Sequence, residues 1–249
     1  MIAACSVSCV ARAGEPAIKP KIAFAGDSIV DNYWAGITRY IEATSCLKGA
    51  VELGRFARNA TGLTRGDRVY WPREIRRIGD RFMPTVFVLS IGLNDRQFIV
   101  DGNGARTGWG SPNWSDKYRQ ELEEFLKGAV AKKATVLLIG LPVMRNEVDN
   151  TDVNEKNGMF IEAVNKLADP HLHYVEPWKL KETSPDVFAS YGADKNGKMV
   201  QIRTSDGQHF TTGGEDLVAA YLFPKIVAAL DESGIRPEQC MSKQTTTEH

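Results

Sequence analysis

Apolar positions along this chain follow two rhythms. Lys21-Ile-Ala-Phe-Ala-Gly26, Thr85-Val-Phe-Val-Leu-Ser-Ile91 and Ala134-Thr-Val-Leu-Leu-Ile-Gly140 are apolar almost throughout and read as buried strands. Val51-Glu-Leu-Gly54 and His173-Tyr-Val175 are shorter strand candidates. Between the runs, apolar residues recur every three or four positions. Tyr33, Ile37, Tyr40 and Ile41 mark a helix from Asp31 to Leu47. Pro72 to Arg81 reads as a helix with its Pro where a first turn tolerates one. Tyr118, Leu122, Phe125 and Leu126 share one face of a helix that Ser115 can cap and that runs to Lys132. Phe160, Ile161, Val164 and Leu167 do the same from Glu155 to Ala168. The last helix spans Gly214 to Ser233, and Pro224 is expected to kink or break it.

Strands alternating with helices predict an α/β domain with a parallel sheet covered on both faces. Such a sheet binds ligands at the carboxyl ends of its strands. Two segments break the rhythm. Lys195-Asn-Gly-Lys198, inside the stretch Gly192 to Arg203, is a hairpin signal. Residues 101–114, rich in Gly and Asn and carrying Trp109 and Trp114, read as a long functional or mobile loop. There is no internal repeat.

Composition narrows the function classes. The chain has 249 residues, 43% apolar and 25% charged, which suits one globular domain rather than a disordered protein. Lys and Arg number 31 and Asp and Glu 31, a balance that argues against a dedicated nucleic-acid binder. No apolar run approaches the roughly 20 residues of a membrane span. Small and apolar residues lead to Ala11-Arg12-Ala13, a pattern like a secretory cleavage site. The expected division is a leader over 1–13 whose start lies upstream, a globular domain over 14–237 and a polar tail over 238–249. A frayed cytosolic terminus, or a lipoprotein box at Ile2-Ala3-Ala4-Cys5, are the other readings of that amino end. Of four cysteines, Cys46 and Cys240 lie outside the leader and are either one disulfide or two unrelated thiols. No Cys and His cluster has zinc-ligand spacing, there is no P-loop, and the glycines of 102–108 lack dinucleotide-fingerprint spacing.

Four short motifs sit on turns. Gly26-Asp27-Ser28 follows the first strand, where a helix amino end offers backbone donors to a developing anion. Gly62 follows the second candidate strand, and a Gly there lets a backbone N–H approach a ligand. Gly92-Leu-Asn94-Asp95 follows the third, with an Asn amide able to donate to an oxyanion. Asp206-Gly-Gln-His209 precedes the last helix, and an Asp three residues before a His can fold back to bond its ring. Of the four histidines, His249 is terminal, and His171 and His173 have no acidic neighbour at turn spacing, so His209 is the best base candidate. Taken singly, each motif is equally a helix cap, an Asx turn or a turn glycine.

In this order the four motifs resemble those of the SGNH (GDSL-type) hydrolases. A narrower likeness, to the bacterial DUF459 group, lies in Gly62-Leu-x-Arg65 with Tyr70-Trp71-Pro72, Gly92-Leu-Asn-Asp-Arg96-Gln97, Gly140-Leu-Pro-Val-Met-Arg145 and Arg203-x-x-Asp206-Gly-x-His209-Phe-Thr. Ile29 stands where the superfamily name has Leu. The resemblance implies a three-layer α/β/α fold with a flavodoxin-like parallel sheet. It implies Ser28 as nucleophile, His209 as base, Asp206 orienting His209, and an oxyanion hole from Ser28 N–H, Gly62 N–H and the Asn94 side chain. It also implies an exported protein of a Gram-negative bacterium, periplasmic or secreted.

Aromatics and arginines crowd the candidate pocket rim: Tyr70, Trp109, Trp114 and, as substrate-binding candidates, Arg65, Trp71, Arg96 and Arg145, together with Asp27 and Asp95. Aromatic faces suit sugar rings and Arg suits carboxylates. The expected activity is a serine esterase removing acetyl or another small acyl group from a carbohydrate, with no cofactor, metal or nucleic acid. An acyltransferase to a glycan acceptor and a glycan-binding protein with a vestigial site are the alternatives.

Overall fold

The computed structural model describes residues 19–43, 47–180 and 187–234. The leader, the polar tail, Cys46 and Cys240 lie outside the described residues. Five parallel strands form the central sheet: β1 (Lys21–Gly26), β2 (Glu52–Ala57), β3 (Val86–Ser90), then β6 (Thr135–Ile139) and β7 (Leu172–Val175). Their order is β2-β1-β3-β6-β7, the flavodoxin-like arrangement. β3 and β6 are buried along their whole length and β1 in all but its first residue, because helices cover both faces. β2 and β7, at the sheet edges, are buried only in part.

Alternation along each central strand supplies the two cores. Ala23, Ala25, Phe87, Leu89, Val136 and Leu138 point to one face and meet α2 (Trp71–Phe82), α3 (Trp114–Val130) and α4 (Glu147–Leu167) through Ile75, Leu122, Phe125 and Phe160. Ile22, Phe24, Val86, Val88 and Leu137 point the other way and meet α1 (Ser28–Ala43) and α5 (Thr212–Glu232) through Ile37, Val218, Leu222 and Ile226.

Several boundaries differ from the pattern-based ones. α1 starts at Ser28 rather than Asp31, because Asp27 Oδ1 accepts the Ile29 N–H at 2.9 Å and caps the helix. Asn113, not Ser115, holds the cap position of α3. α4 begins at Glu147, well before Glu155, where Asn146 Oδ1 accepts from Val148 and Asp149 N–H groups. Its first turns are polar, so apolar spacing does not reveal them. α5 passes through Pro224 without a break. Val218, Leu222, Ile226 and Leu230 are buried on both sides of the proline, which offsets the lost backbone bond. The stretch 101–114 is less irregular than expected: β4 (Ile99–Val100) and β5 (Arg106–Thr107) pair antiparallel around its first half. β8 (Tyr191–Ala193) and β9 (Met199–Gln201) form a hairpin around Asn196-Gly197. No helix among the described residues is long and apolar enough to cross a membrane.

Candidate active site

β1 ends at Gly26 with φ of +145°, and a side chain there would run into the Ser90 backbone at the end of β3. That close approach lets the Asp27 N–H donate to the Ser90 carbonyl at 3.1 Å. Ser28 follows as the first residue of α1, so its hydroxyl stands at a helix amino end, beside the positive end of the dipole.

Ser28 Oγ lies 2.7 Å from His209 Nε2, and His209 Nδ1 lies 2.7 Å from Asp206 Oδ2. A carboxylate on Nδ1 fixes the ring proton there and leaves Nε2 as an acceptor for the Ser28 hydroxyl. The same carboxylate builds the turn: Asp206 Oδ1 accepts the N–H groups of Gln208 at 2.7 Å and His209 at 3.1 Å. Partial burial acts to raise the Asp206 pKa. Bonds from the Thr204 hydroxyl, the His209 ring and those two N–H groups outweigh it and hold the group well below the ordinary carboxylate range.

Two residues support this turn. Arg203 is buried with its guanidinium over the Phe210 ring at 4.5 Å, and its Nη2 donates to the Gln208 carbonyl at 2.7 Å. Burial draws its pKa down to about 10, which leaves it charged at neutral pH. Asn32, one turn beyond Ser28, accepts the Phe210 N–H at 3.2 Å and donates to Glu215 at 2.7 Å. α1 thereby holds Ser28 and His209 in one register.

Asn94 Nδ2 donates to the Thr61 carbonyl at 2.9 Å, which sets this amide beside Gly62. The nitrogen carries two hydrogens, so the second is available to a ligand. Asp95 is fully buried and accepts from Leu63 N–H at 3.0 Å, Thr64 N–H at 3.1 Å, the Thr64 hydroxyl at 2.8 Å and Tyr118 at 3.2 Å. A Cβ on Gly62 would overlap that carboxylate, 2.5 Å from its Cγ. Asp27, also fully buried, accepts from Gly92 N–H at 2.9 Å and Leu93 N–H at 3.0 Å. Burial pushes the Asp27 pKa up to about 7, the Asp95 charge adding to it against the lowering by its three N–H donors. Two buried carboxylates therefore join the turns after β1, β2 and β3. Among the described residues, no group of three or more His, Cys, Asp or Glu is placed to hold a metal.

The family model described as "Protein of unknown function (DUF459)" matches residues 21–225. The chain belongs to the DUF459 family. No curated protein matches it. The DUF459 chain shares its fold with an acetyl xylan esterase, AlAXEase, at TM-score 0.55 and 18% identity, covering 83% of this chain and 100% of that one. It also resembles a carbohydrate esterase family 3 structure from Talaromyces cellulolyticus (TM-score 0.57, 14% identity, 86% and 99% covered). A third is the psychrotrophic esterase EstA from Pseudoalteromonas sp. (TM-score 0.56, 14% identity, 85% and 98% covered).

Several substrate-binding candidates are structural in the DUF459 protein. Trp71 is wholly buried in the core, its indole N–H on the Thr61 hydroxyl at 3.1 Å, so it is not a rim residue. Asp27 and Asp95 are buried and spent on backbone amides, so neither is open to substrate. Trp114 is also buried. Arg65 is committed to Asp67 by two bonds of 2.7 and 2.6 Å. Arg145 donates to the Ser205 carbonyl at 2.9 Å, and its backbone N–H to Gly207 at 3.2 Å, so it buttresses the His209 turn. Arg96 stays exposed, with a 3.6 Å approach to Asp149, which also accepts from Gln208 at 3.3 Å. That pair of contacts spans from the Asn94 turn to the His209 turn. His171 and His173 pair with a carboxylate distant in sequence, Glu232 of α5, at 3.2 and 2.8 Å, away from the Ser28–His209–Asp206 group.

Sequence reading missed Asn32, Thr61 and Arg203 as supports. Asn32 stands four residues after Ser28, hence on the same helix face, a spacing that could have flagged it.

Proposed function

We propose that this protein is a serine esterase that cleaves acetyl or another small acyl group from a carbohydrate. The observation that carries the reading is the unbroken relay from Ser28 Oγ through the His209 ring to Asp206, with both links at 2.7 Å. The Asn94–Gly62 turn completes the set of groups that acyl transfer requires.

In this mechanism His209 Nε2 takes the Ser28 hydroxyl proton as Oγ attacks the ester carbonyl. The resulting oxyanion is met by Ser28 N–H, Gly62 N–H and the free amide hydrogen of Asn94. Asp206 stays ionised and stabilises the imidazolium. Collapse of the tetrahedral species expels the sugar oxygen, which receives the proton from His209. Water, deprotonated by His209, then attacks the acyl-Ser28 ester and releases the acid. The fold likeness to carbohydrate esterases favours a sugar ester, and an intact relay disfavours a vestigial site. The Ala11-Arg12-Ala13 pattern supports action outside the cytoplasm, which cell fractionation tests.

The test is release of p-nitrophenol from p-nitrophenyl acetate, and of acetate from acetylated xylan, by purified protein and by Ser28→Ala. Turnover of both by the native chain and neither by Ser28→Ala is expected. Equal rates for the two proteins would remove the assignment.

A further inference from the structure

All five tryptophans fall within the described residues, and Trp109 alone is exposed, at 44%. Single exposed apolar side chains are ordinary on a protein surface. Trp109 differs from Met83 or Val148 in what lies beneath it. Its ring meets Trp114 edge to face, with centroids 4.5 Å apart, and Trp114 stacks on Tyr118 at 5.1 Å. The Trp114 indole N–H donates to the Gln97 carbonyl at 2.8 Å, and Gln97 Nε2 donates to the Asn94 carbonyl at 2.7 Å. Tyr118 donates to Asp95, which fixes the turn after Gly62. The aromatic stack is therefore bonded at two points to the segments that carry the oxyanion donors.

The segment bearing Trp109 is pinned. Asp101 Oδ1 accepts from Asn103 and Ala105 N–H groups, and Lys117 pairs with Asp101 at 3.1 Å. Ser111 N–H donates to Gly108, and Trp114 N–H to Ser111. Gly108 and Gly110 flank the ring, so neither neighbour has a side chain to cover it. Arg106, exposed on the same hairpin with its guanidinium over Phe98 at 4.2 Å, adds hydrogen-bond donors. A rigid bare indole suits a pyranose ring, which offers its C–H groups to the aromatic face.

We propose that Trp109 is a sugar-binding platform that seats a pyranose of the substrate beside Asn94 and Gly62. The platform deepens the esterase reading and rests on it for its role in turnover, but its binding can be measured without hydrolysis. The experiment titrates the native protein with unacetylated xylohexaose, cellohexaose and chitohexaose, following tryptophan fluorescence and calorimetric heat. Saturable binding to at least one is expected, at least 10-fold weaker in Trp109→Ala and within about 3-fold of native in Trp109→Tyr. Thermal melting of each variant checks that the fold persists. No saturable binding to any of the three, or native affinity in Trp109→Ala, overturns the platform. If Trp109→Ala fails to fold, Trp109→Tyr against Trp109→Ser decides: equal affinity in the two overturns it. Hydrolysis of p-nitrophenyl acetate, which offers no sugar ring, judges the esterase reading separately.

Discussion

Replacing Gly62 with Ala should damage both the fold and the site, and the structure says by how much. The new Cβ would occupy the space of the Asp95 carboxylate, which is held in place by its own hydrogen bonds. Asp95 must swing away from Leu63 N–H, Thr64 N–H and the Thr64 hydroxyl. A hydrogen bond to a charged group contributes roughly 1.5–3 kcal/mol, so losing two of these three while the third re-forms costs about 3–6 kcal/mol. In a domain of this size, each kcal/mol moves the melting midpoint by roughly 2–4 °C, so a drop of about 6–24 °C is expected. The Gly62 N–H and the Asn94 amide also move, and a misplacement of about 1 Å can cost on the order of 10² in turnover. Urea unfolding, thermal melting and p-nitrophenyl acetate turnover measure the three effects. Gly158→Ala is the control: it lies in α4 with open space around it and should gain up to about 1 kcal/mol. A Gly62→Ala protein with native melting and native turnover would refute the argument that Asp95 fills this space and sets the turn.

The remaining predictions concern charge and chemistry. Asn94→Ala should lower turnover by about 10²–10³, the usual loss for one oxyanion donor, measured as kcat on p-nitrophenyl acetate. Asn32→Leu should lower turnover by loosening the Phe210 anchor while the crystal structure of the variant retains α1; native turnover would assign Asn32 no role in holding His209. Because the Asp27 pKa is raised to about 7, its neutral form favours folding, and unfolding free energy should fall as pH rises from about 4 to about 7. Asp206, held low, acts with the opposite sign: its contribution is present above its ordinary range and lost as pH falls through and below it. Urea titrations between pH 3 and pH 8 should show the Asp27 slope in the native protein and lose it in Asp27→Asn. A short acyl ester should turn over faster than a long one, and a C12 ester outrunning a C2 ester would reverse that.

The fold was legible because its central strands are buried on both faces and so appear as unbroken apolar runs. Helix faces were legible where apolar residues bury a stripe, as in Tyr118, Leu122 and Phe125. The start of α4 was not, since its first turns rest on a side-chain cap from Asn146 and carry Glu147, Asp149 and Asn150. The hairpin of β4 and β5 was hidden because each strand is two residues long, too short for alternation to register. Candidate residues could be named because Ser28, Gly62 and Asn94 each follow a strand, where parallel sheets gather chemistry. Which neighbours bind substrate and which hold the turns could not be read. Trp71, Asp27 and Asp95 look like site residues in one dimension, and only burial reveals them as packing and as acceptors for backbone amides. Arg203 and Asn32 act through partners far away in sequence, which spacing does not disclose.

The proposed mechanism requires Ser28 to form a covalent acyl-enzyme. Its most direct test is mass spectrometry of the protein after treatment with diisopropyl fluorophosphate, with peptide mapping of the adduct. A single phosphorylated peptide containing Ser28, absent from Ser28→Ala and strongly reduced in His209→Ala, is the expected result. Labelling at another residue, or undiminished labelling of Ser28→Ala, would contradict the account.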